Sequence, residues 1–321
     1  SFPTRRSSDL ILFSVLLVTY NSELSDIFKT LTSIINQEFE HFEIVLSDDG
    51  SEDNKFKQIE EFMKEHKFFN YKMVGHDKNQ GTVKNLISGL ENCSGKYVRD
   101  FGPGDMFYTK DSLKKLYEFM EKKQCDSCFC RVQGYIEKNG TLTEKEYIHP
   151  FDINAYKKGK KDLIIKNLIL YSDNVSGAST SYKTDYYLSY LKKIVGSVVY
   201  EEDIFQVYAA LEGNNFEFLD ECLIWYETSE GISTNKNSPF KKKIALDVEH
   251  FFDLMNLKFG ENKYVQKRMR LSKLYRIDNL YLRTIVRFLY DPYAIIYLVK
   301  HYVSVIRGDY KINSKGEQWN S

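Results

Sequence analysis

The chain has 321 residues, of which 42% are hydrophobic and 28% are charged, and its 45 basic residues equal its 45 acidic residues. This composition is typical of a folded protein with one large domain and an appendage, or with two modest domains. It argues against disorder, and the lack of a basic excess argues against a general binder of nucleic acid.

The first ten residues, SFPTRRSSDL, resemble the translation of a sequencing adapter. We therefore treat 1–10 as a non-native segment and expect the genuine chain to start near Ile11. No secretory signal is visible, and no apolar run reaches the roughly 20 residues that a membrane span needs. These observations lead us to expect a cytoplasmic protein.

The first part of the chain alternates apolar strands with helices. In chain order we predict a strand over 12–19, a helix from a cap at Asn21 or Ser22 to about Gln37, a strand over 42–47, a helix over 55–66, a strand over 71–75, a helix over 82–92, a strand over 96–101 and a helix over 111–122. This alternation predicts an α/β fold with a mostly parallel, doubly wound sheet and helices on both faces. Ligands of such sheets bind at the carboxyl ends of the strands.

The second part is less regular. We predict a strand over 175–182, a helix over 200–211 that starts with three acidic residues, a strand over 216–226, and helices from about 240 onward. Residues 134–175 carry no interpretable motif.

Three of the five cysteines cluster in the segment CDSCFC, 125–130. A zinc site would require a second pair of ligands at metal-binding spacing, which the sequence lacks. The alternation of Cys128, Phe129, Cys130 and Val132 favours a buried strand in a protein of a reducing compartment.

Polar clusters follow three of the predicted strands. They are TYN at 19–21, DDGS at 48–51 and GPGD at 102–105. Each cluster could be an ordinary turn, because Asp, Asn and Gly favour turns. Three clusters at successive strand ends favour a binding site.

The order of motifs resembles the family 2 glycosyltransferases over roughly residues 12–235. The motifs are SVLLVTYN, EIVLSDDGSEDN, NQGTVKNLISGLENCSGKYV, GPGD, YEEDIF and WYETSEGIST. The resemblance implies a GT-A fold over 11–235, followed by a helical extension over 236–321. It also implies an inverting transfer from a nucleotide-diphosphate sugar to a glycan or lipid-linked glycan, as in bacterial surface polysaccharide synthesis.

The resemblance places the nucleotide-sugar site at Thr19, Tyr20, Asn21, Asp48, Lys84 and Gly104. A carboxylate at Asp48 can accept a hydrogen bond from a base N–H, which favours uracil or guanine and hence a UDP-sugar. Lys84 stands where the family often has arginine, and its alternative is a surface helix lysine. Asp49 is expected to fix its own turn.

The resemblance also implies a divalent cation, Mg²⁺ or Mn²⁺, at Asp105 and a general base at Asp203. The family commonly offers two or three aspartates at the metal motif, whereas this chain has glycine at 102 and 104. A catalytically degenerate nucleotide-sugar-binding protein is therefore the alternative function. For Asp203, the alternative is an acidic residue that merely favours a helix start.

The region 263–311 contains eleven Lys or Arg and three Asp, interleaved with apolar residues. A basic amphipathic region can lie on the cytoplasmic face of the inner membrane, or it can pack on the catalytic domain, and the sequence slightly favours packing. Two further rivals are a membrane-surface interaction module and a nucleotidyltransferase. The latter would need a glycine-rich basic loop after the first strand, which TYNSELSD lacks.

Overall fold

The computed structural model describes residues 10–138, 141–229, 240–276 and 279–319. Of the predicted adapter-like segment, all but Leu10 lies outside these residues. The strands are β1 (Phe13–Thr19), β2 (Phe42–Asp48), β3 (Tyr71–Gly75), β4 (Tyr97–Phe101), β5 (Met106–Phe107), β6 (Ser127–Lys138), β7 (Thr141–Lys145), β8 (Thr180–Lys183) and β9 (Glu217–Glu227). The helices are α1 (Leu24–Ile35), α2 (Phe56–Glu65), α3 (Thr82–Glu91), α4 (Ser112–Lys123), α5 (Ile153–Lys157), α6 (Lys161–Tyr171), α7 (Thr184–Ile194), α8 (Phe205–Leu211), α9 (Lys241–Phe259), α10 (Lys263–Ser272), α11 (Leu280–Tyr290) and α12 (Tyr293–Arg307).

The described strands form one sheet in the order β3-β2-β1-β4-β8-β6-β9-β5, with β7 beside β6. Strands β1 to β4 are mutually parallel, whereas β8 is antiparallel to both β4 and β6. Strand β9 runs parallel to β6 and antiparallel to the short β5. The predicted α/β architecture is thus confirmed, and the four parallel strands bring three polar clusters to one edge.

Both faces of the sheet are covered, which explains why the β1 sequence is apolar almost throughout. Phe13, Val15 and Leu17 pack into a core with α1, α2 and α4. Leu16 points to the opposite face and packs into a core with α3, α7 and α8. The cysteine segment follows the same logic, because Cys128 and Cys130 are buried in β6, as the strand prediction required.

Three predicted boundaries are wrong. Helix α1 begins at Leu24 with no side-chain cap, because Asn21 adopts a left-handed φ of 47° and Ser22 instead accepts a hydrogen bond from the Tyr20 amide. The strand predicted over 175–182 begins with a 3₁₀ turn, Gly177–Ser179, before β8. The helix predicted from 200 starts as a second 3₁₀ turn, Glu202–Ile204, and becomes α-helical only at Phe205.

The carboxyl-terminal helices do not all stand apart from the sheet. Phe251, Phe252 and Met255 of α9 and Val265 of α10 join the same core as α3, α7 and α8. The division at residue 235 stays a prediction, since 230–239 lie outside the described residues.

Candidate active site

Asp48 ends β2 directly beside Thr19, the last residue of β1. The Thr19 hydroxyl donates to Asp48 Oδ1 at 2.9 Å, and the Ser51 hydroxyl donates to the same oxygen at 2.6 Å. The Ser51 amide donates to Oδ2 at 2.8 Å. These three hydrogen bonds, one of them from Thr19, orient the buried carboxylate of Asp48. The role of both residues in base binding remains a prediction.

Tyr20 and Asn21 lie at the rim of this edge. The Asn21 amide donates to Ser51 Oγ at 2.7 Å, and its side-chain oxygen accepts from the Glu52 amide at 3.2 Å. The ring of Tyr20 is 41% exposed, which leaves it open to a ligand. The TYN segment is therefore hydrogen-bonded to the turn at 48–52 and leaves the ring of Tyr20 exposed to solvent.

Asp49 acts on another loop rather than on its own turn, which corrects the prediction. Its carboxylate accepts from the amides of Gln80 and Gly81 at 2.7 and 2.9 Å. This contact fixes the loop before α3, where Gly81 has a φ of 92° and a side chain would clash with Val199. Lys84, on α3, is exposed and contacts Gln80 Oε1 at 3.3 Å, so its phosphate contact remains a prediction.

Gly104 is fixed by its backbone. Its amide donates to Thr30 Oγ1 at 2.9 Å, and its carbonyl accepts from the Tyr135 hydroxyl. It has a φ of 96°, and a Cβ at this position would lie 3.3 Å from Glu227. An aspartate at 104 would be strained in this backbone, which suits the glycine that the sequence has at this position.

Asp105 follows immediately and is 7% exposed. Its Oδ1 accepts from the Glu227 amide at 3.0 Å, which joins the GPGD turn to the end of β9. Burial raises the pKa of Asp105 to about 7, and the nearby charge of Glu227 adds to the increase. A buried carboxylate with this pKa is poorly compensated, and a cation beside it would lower that pKa.

Asp203 lies in the 3₁₀ turn before α8, beside the segment that precedes β8. Its Oδ2 accepts from the Gly177 amide at 2.8 Å, and its Oδ1 accepts from Gln206 at 3.4 Å. A Cβ at 177 would lie 2.9 Å from Oδ1, which explains the glycine there. Burial, followed by the charge of Glu201, raises the pKa of Asp203.

Tyr147 is a partly buried side chain that sequence reasoning missed. Its pKa is raised, first by burial and then by the carboxylates of Asp203 and Asp105. Its ring packs against Tyr226 with centroids 4.9 Å apart. The charges of the predicted metal ligand and of the predicted base therefore both act on this tyrosine. No sequence signal marked Tyr147, because it lies in the stretch without motifs.

Arg99 is a second residue that the sequence analysis missed. It is fully buried in β4, with Nη1 donating to the Thr180 carbonyl at 3.2 Å and Nη2 donating to the Ala178 carbonyl. Its charge opposes the increase in the pKa of Asp105. The signal was a basic residue in the middle of a predicted strand, since buried charges are rare unless they are hydrogen-bonded.

Asp247 of α9 fixes the loop that leads to Asp203. Its Oδ2 accepts from three consecutive amides, those of Val199, Tyr200 and Glu201, at 3.1, 2.6 and 3.1 Å. The Val199 carbonyl in turn accepts from the Val83 amide at 3.0 Å. A residue of the predicted helical extension therefore positions the loop before the predicted base, which local sequence could not indicate.

We expect Asp247→Ala to lower the free energy of unfolding by about 2 kcal/mol, because three amides lose their acceptor. It should also lower kcat about tenfold at a temperature where the variant is folded, since Asp203 would lose its fixed position. Thermal unfolding and saturating-donor kinetics check this, with the exposed Asp253 on the same helix, changed to Ala, as the matched control. Equal effects of the two substitutions would contradict the positioning role.

Comparison with known proteins identifies a family model and similar structures. Residues 14–177, just over half of the chain, match the model described as Glycosyl transferase family 2. A Haemophilus influenzae protein described as an uncharacterized glycosyltransferase is 24% identical over 330 residues, which span 95% of this chain and 94% of that protein.

Two solved structures share the fold. S. aureus TarS 1–349 in complex with UDP-GlcNAc superposes with a TM-score of 0.50 at 19% identity, covering 97% of this chain and 99% of that one. A mannosyltransferase from Pyrobaculum calidifontis in complex with GDP-Man and Mn²⁺ gives a TM-score of 0.51 at 14% identity, covering 94% and 88%. The curled, mostly parallel sheet is thus that of the GT-A fold, with carboxyl-terminal helices added.

Proposed function

The chain belongs to glycosyltransferase family 2 and is a glycosyltransferase, and from this premise we propose that it transfers a sugar from a UDP-sugar to a hydroxyl of a glycan or lipid-linked glycan, with inversion. The observation that carries the proposal is that backbone amides hold two carboxyls in place, the Gly177 amide that of Asp203 and the Glu227 amide that of Asp105. A transfer of this class requires a proton acceptor for the acceptor hydroxyl and charge compensation for the leaving diphosphate.

Asp203 is the proposed general base. A carboxylate held by the Gly177 amide and Gln206 keeps a fixed orientation toward an incoming hydroxyl. Its raised pKa makes it a stronger base than an ordinary aspartate once it is deprotonated. In the proposed step the acceptor oxygen bonds to the anomeric carbon, the bond to the diphosphate breaks, and the hydroxyl proton passes to Asp203.

Asp105 is the proposed ligand of Mg²⁺ or Mn²⁺. Across the described residues no group of three or more His, Cys, Asp or Glu is arranged to hold a metal ion. A hard cation can nevertheless take most of its oxygen ligands from a diphosphate and water, and the poorly compensated carboxyl of Asp105 fits that use. When bound, such an ion would stabilise the negative charge of the departing diphosphate.

The nucleotide is proposed to lie along the TYN and DDGS segments. Asp48, held by Thr19 and Ser51, would accept from a base N–H, and the exposed ring of Tyr20 would contact the base. Asn21, Lys84 and Gly104 complete the proposed donor site. We propose a UDP-sugar as the donor because Asp48 would accept from a uracil N–H. One of the similar structures carries UDP-GlcNAc and the other carries GDP-Man.

We propose a cytoplasmic location with peripheral membrane contact through the basic carboxyl-terminal region, which would suit a lipid-linked acceptor.

The test is release of UDP from a panel of UDP-sugars, with GDP-mannose as the control donor, in the presence of Mn²⁺ or EDTA. We expect one UDP-sugar to turn over in a metal-dependent manner. Binding of donors without turnover, with every metal and a panel of glycan acceptors, would instead support the degenerate nucleotide-sugar-binding protein. This alternative is supported by the glycines at 102 and 104, which provide no carboxylate for a cation.

A further inference from the structure

The two last helices, α11 and α12, attach to the protein through aromatic and polar contacts. Tyr297 stacks on Tyr171 with ring centroids 4.3 Å apart, and His301 stacks on Phe151 at 4.1 Å. Asp291, between the helices, is fully buried and accepts from Lys267 Nζ at 2.7 Å and from the Tyr171 hydroxyl at 2.8 Å. The helix pair therefore has one defined inward side.

The opposite side of the pair is apolar and exposed. Twelve of the eighteen exposed large hydrophobic side chains in the described part of the chain lie on these two helices. We call this set the outer apolar face; it comprises Tyr281, Leu282, Ile285, Leu289, Tyr290, Ile295, Ile296, Leu298, Val299, Tyr302, Val303 and Ile306. A helix on the surface of a globular protein normally turns its polar side outward. A contiguous apolar surface of this kind marks an interaction site.

The charged residues on the two helices are all cationic. They are Arg283, Arg287, Lys300 and Arg307, and neither helix contains an acidic residue. Beneath α11, the side chains of Arg283 and Arg287 line a cavity of about 130 Å³ together with Arg268 of α10. Arg283 and Arg287 thus lie on the inward side of α11, whereas Lys300 and Arg307 of α12 are exposed and supply the positive charge beside the outer apolar face.

This charge distribution selects among the occupants that could cover the face. A symmetric contact between two copies through this face would bring Lys300 and Arg307 of both copies to one contact, which is unfavourable. An anionic bilayer complements the face, because its phosphates would pair with Lys300 and Arg307, its acyl boundary accepts the aliphatic side chains, and tyrosines favour its interface. Among the helices in the described ranges, none is both long enough and apolar enough to span a bilayer.

We propose that the outer apolar face of α11 and α12 lies on the surface of an anionic lipid bilayer, with the helices in the plane of the interface. The inference rests on the proposed function only for its purpose, which is to hold the active site near a lipid-linked acceptor. The contact with the bilayer is inferred from the exposure of the outer apolar face and from the positive charge beside it. It also explains why these residues remain uncovered by the rest of the chain.

Flotation of the full chain with vesicles tests the proposal. We expect at least tenfold tighter binding to vesicles of phosphatidylglycerol and phosphatidylcholine than to pure phosphatidylcholine. Leu289→Glu/Ile306→Glu should lower binding to the anionic vesicles at least tenfold. The matched control is Phe69→Glu/Leu257→Glu, which changes two side chains of similar exposure elsewhere and should bind as the unmodified chain does. Lys300→Gln/Arg307→Gln should lower binding roughly thirtyfold, since each cation near such a surface contributes about fivefold to the affinity.

Two results would overturn the proposal. One is the absence of vesicle binding by the unmodified chain. The other is a concentration-dependent dimer that only Leu289→Glu/Ile306→Glu abolishes, which would make the face a contact between copies. UDP release with a soluble glycan acceptor is measured in parallel and should be unchanged in these variants. Loss of UDP release in every protein, with vesicle binding retained, would count against the proposed function and not against the membrane contact.

Discussion

Asp203→Asn is expected to lower kcat for sugar transfer by about 10² to 10⁴-fold, the usual contribution of a general base. The amide has nearly the shape of the carboxylate and can still accept from the Gly177 amide, so the fold should persist. What it lacks is the ability to take the proton of the acceptor hydroxyl. The measurement is the rate of transfer at saturating donor and acceptor, with thermal unfolding as the check on folding.

Glu202→Gln is the matched control, because it removes a carboxylate from the adjacent residue of the same 3₁₀ turn. We expect it to change kcat less than tenfold. If both substitutions lowered kcat equally, the base would not be assigned to Asp203, and the loss would reflect the charge of the turn as a whole.

The pH dependence gives an independent test of the same residue. A base acts only when it is deprotonated, so kcat/KM should fall as the pH falls through the pKa of Asp203. Because burial and Glu201 raise that pKa, the fall should occur well above the ordinary aspartate value of 3.8. Glu201→Gln removes one cause of the increase and should shift the profile toward acid. An unshifted profile in that variant would contradict the electrostatic argument.

Asp105→Asn is expected to abolish metal-dependent turnover, with a loss of at least about 10²-fold, because the proposed cation loses its carboxylate ligand. The exposed Asp185 on α7, changed to Asn, is the control for the loss of one negative charge. Mn²⁺ titration of UDP release distinguishes the two. Retained Mn²⁺ activation in Asp105→Asn would remove this residue from the metal site.

The same substitution should stabilise the metal-free protein. The folded pKa of Asp105 is about 7, against an ordinary value of 3.8, so the folded state keeps a proton that the unfolded state releases between these values. Stability therefore falls as the pH rises through this window, and at pH 8 the buried carboxylate destabilises the fold in full. Asparagine removes that cost, about 2 to 4 kcal/mol. Thermal unfolding in EDTA at pH 8 should show a higher Tm for Asp105→Asn, and the gain should shrink toward pH 5.

Local patterns in the sequence are sufficient for the parallel half of the sheet. The apolar run of β1, the DDGS turn after β2 and the alternation of strands and helices predicted the parallel half of the sheet. Since parallel strands end at one edge, the sequence also predicted that Thr19, Asp48 and Asp105 would share that edge. In the second part, the strand predicted over 175–182 is confirmed only from Thr180, because Gly177 lies in a turn where its amide donates to Asp203.

What the sequence by itself determined is the family, the α/β fold and the candidate base and metal ligand, because these depend on hydrophobic periodicity and on motifs of a few residues. The tertiary structure decided which residues support them. Asp247 contacts the loop before Asp203 from 46 to 48 positions away, and Arg99 donates to carbonyls about 80 positions on. Tyr147 belongs to a segment without any motif. The tertiary structure also decided which side of α11 and α12 faces outward. Periodicity gives a helix an apolar side, but only the packing of Tyr297 and His301 against the protein leaves that side exposed.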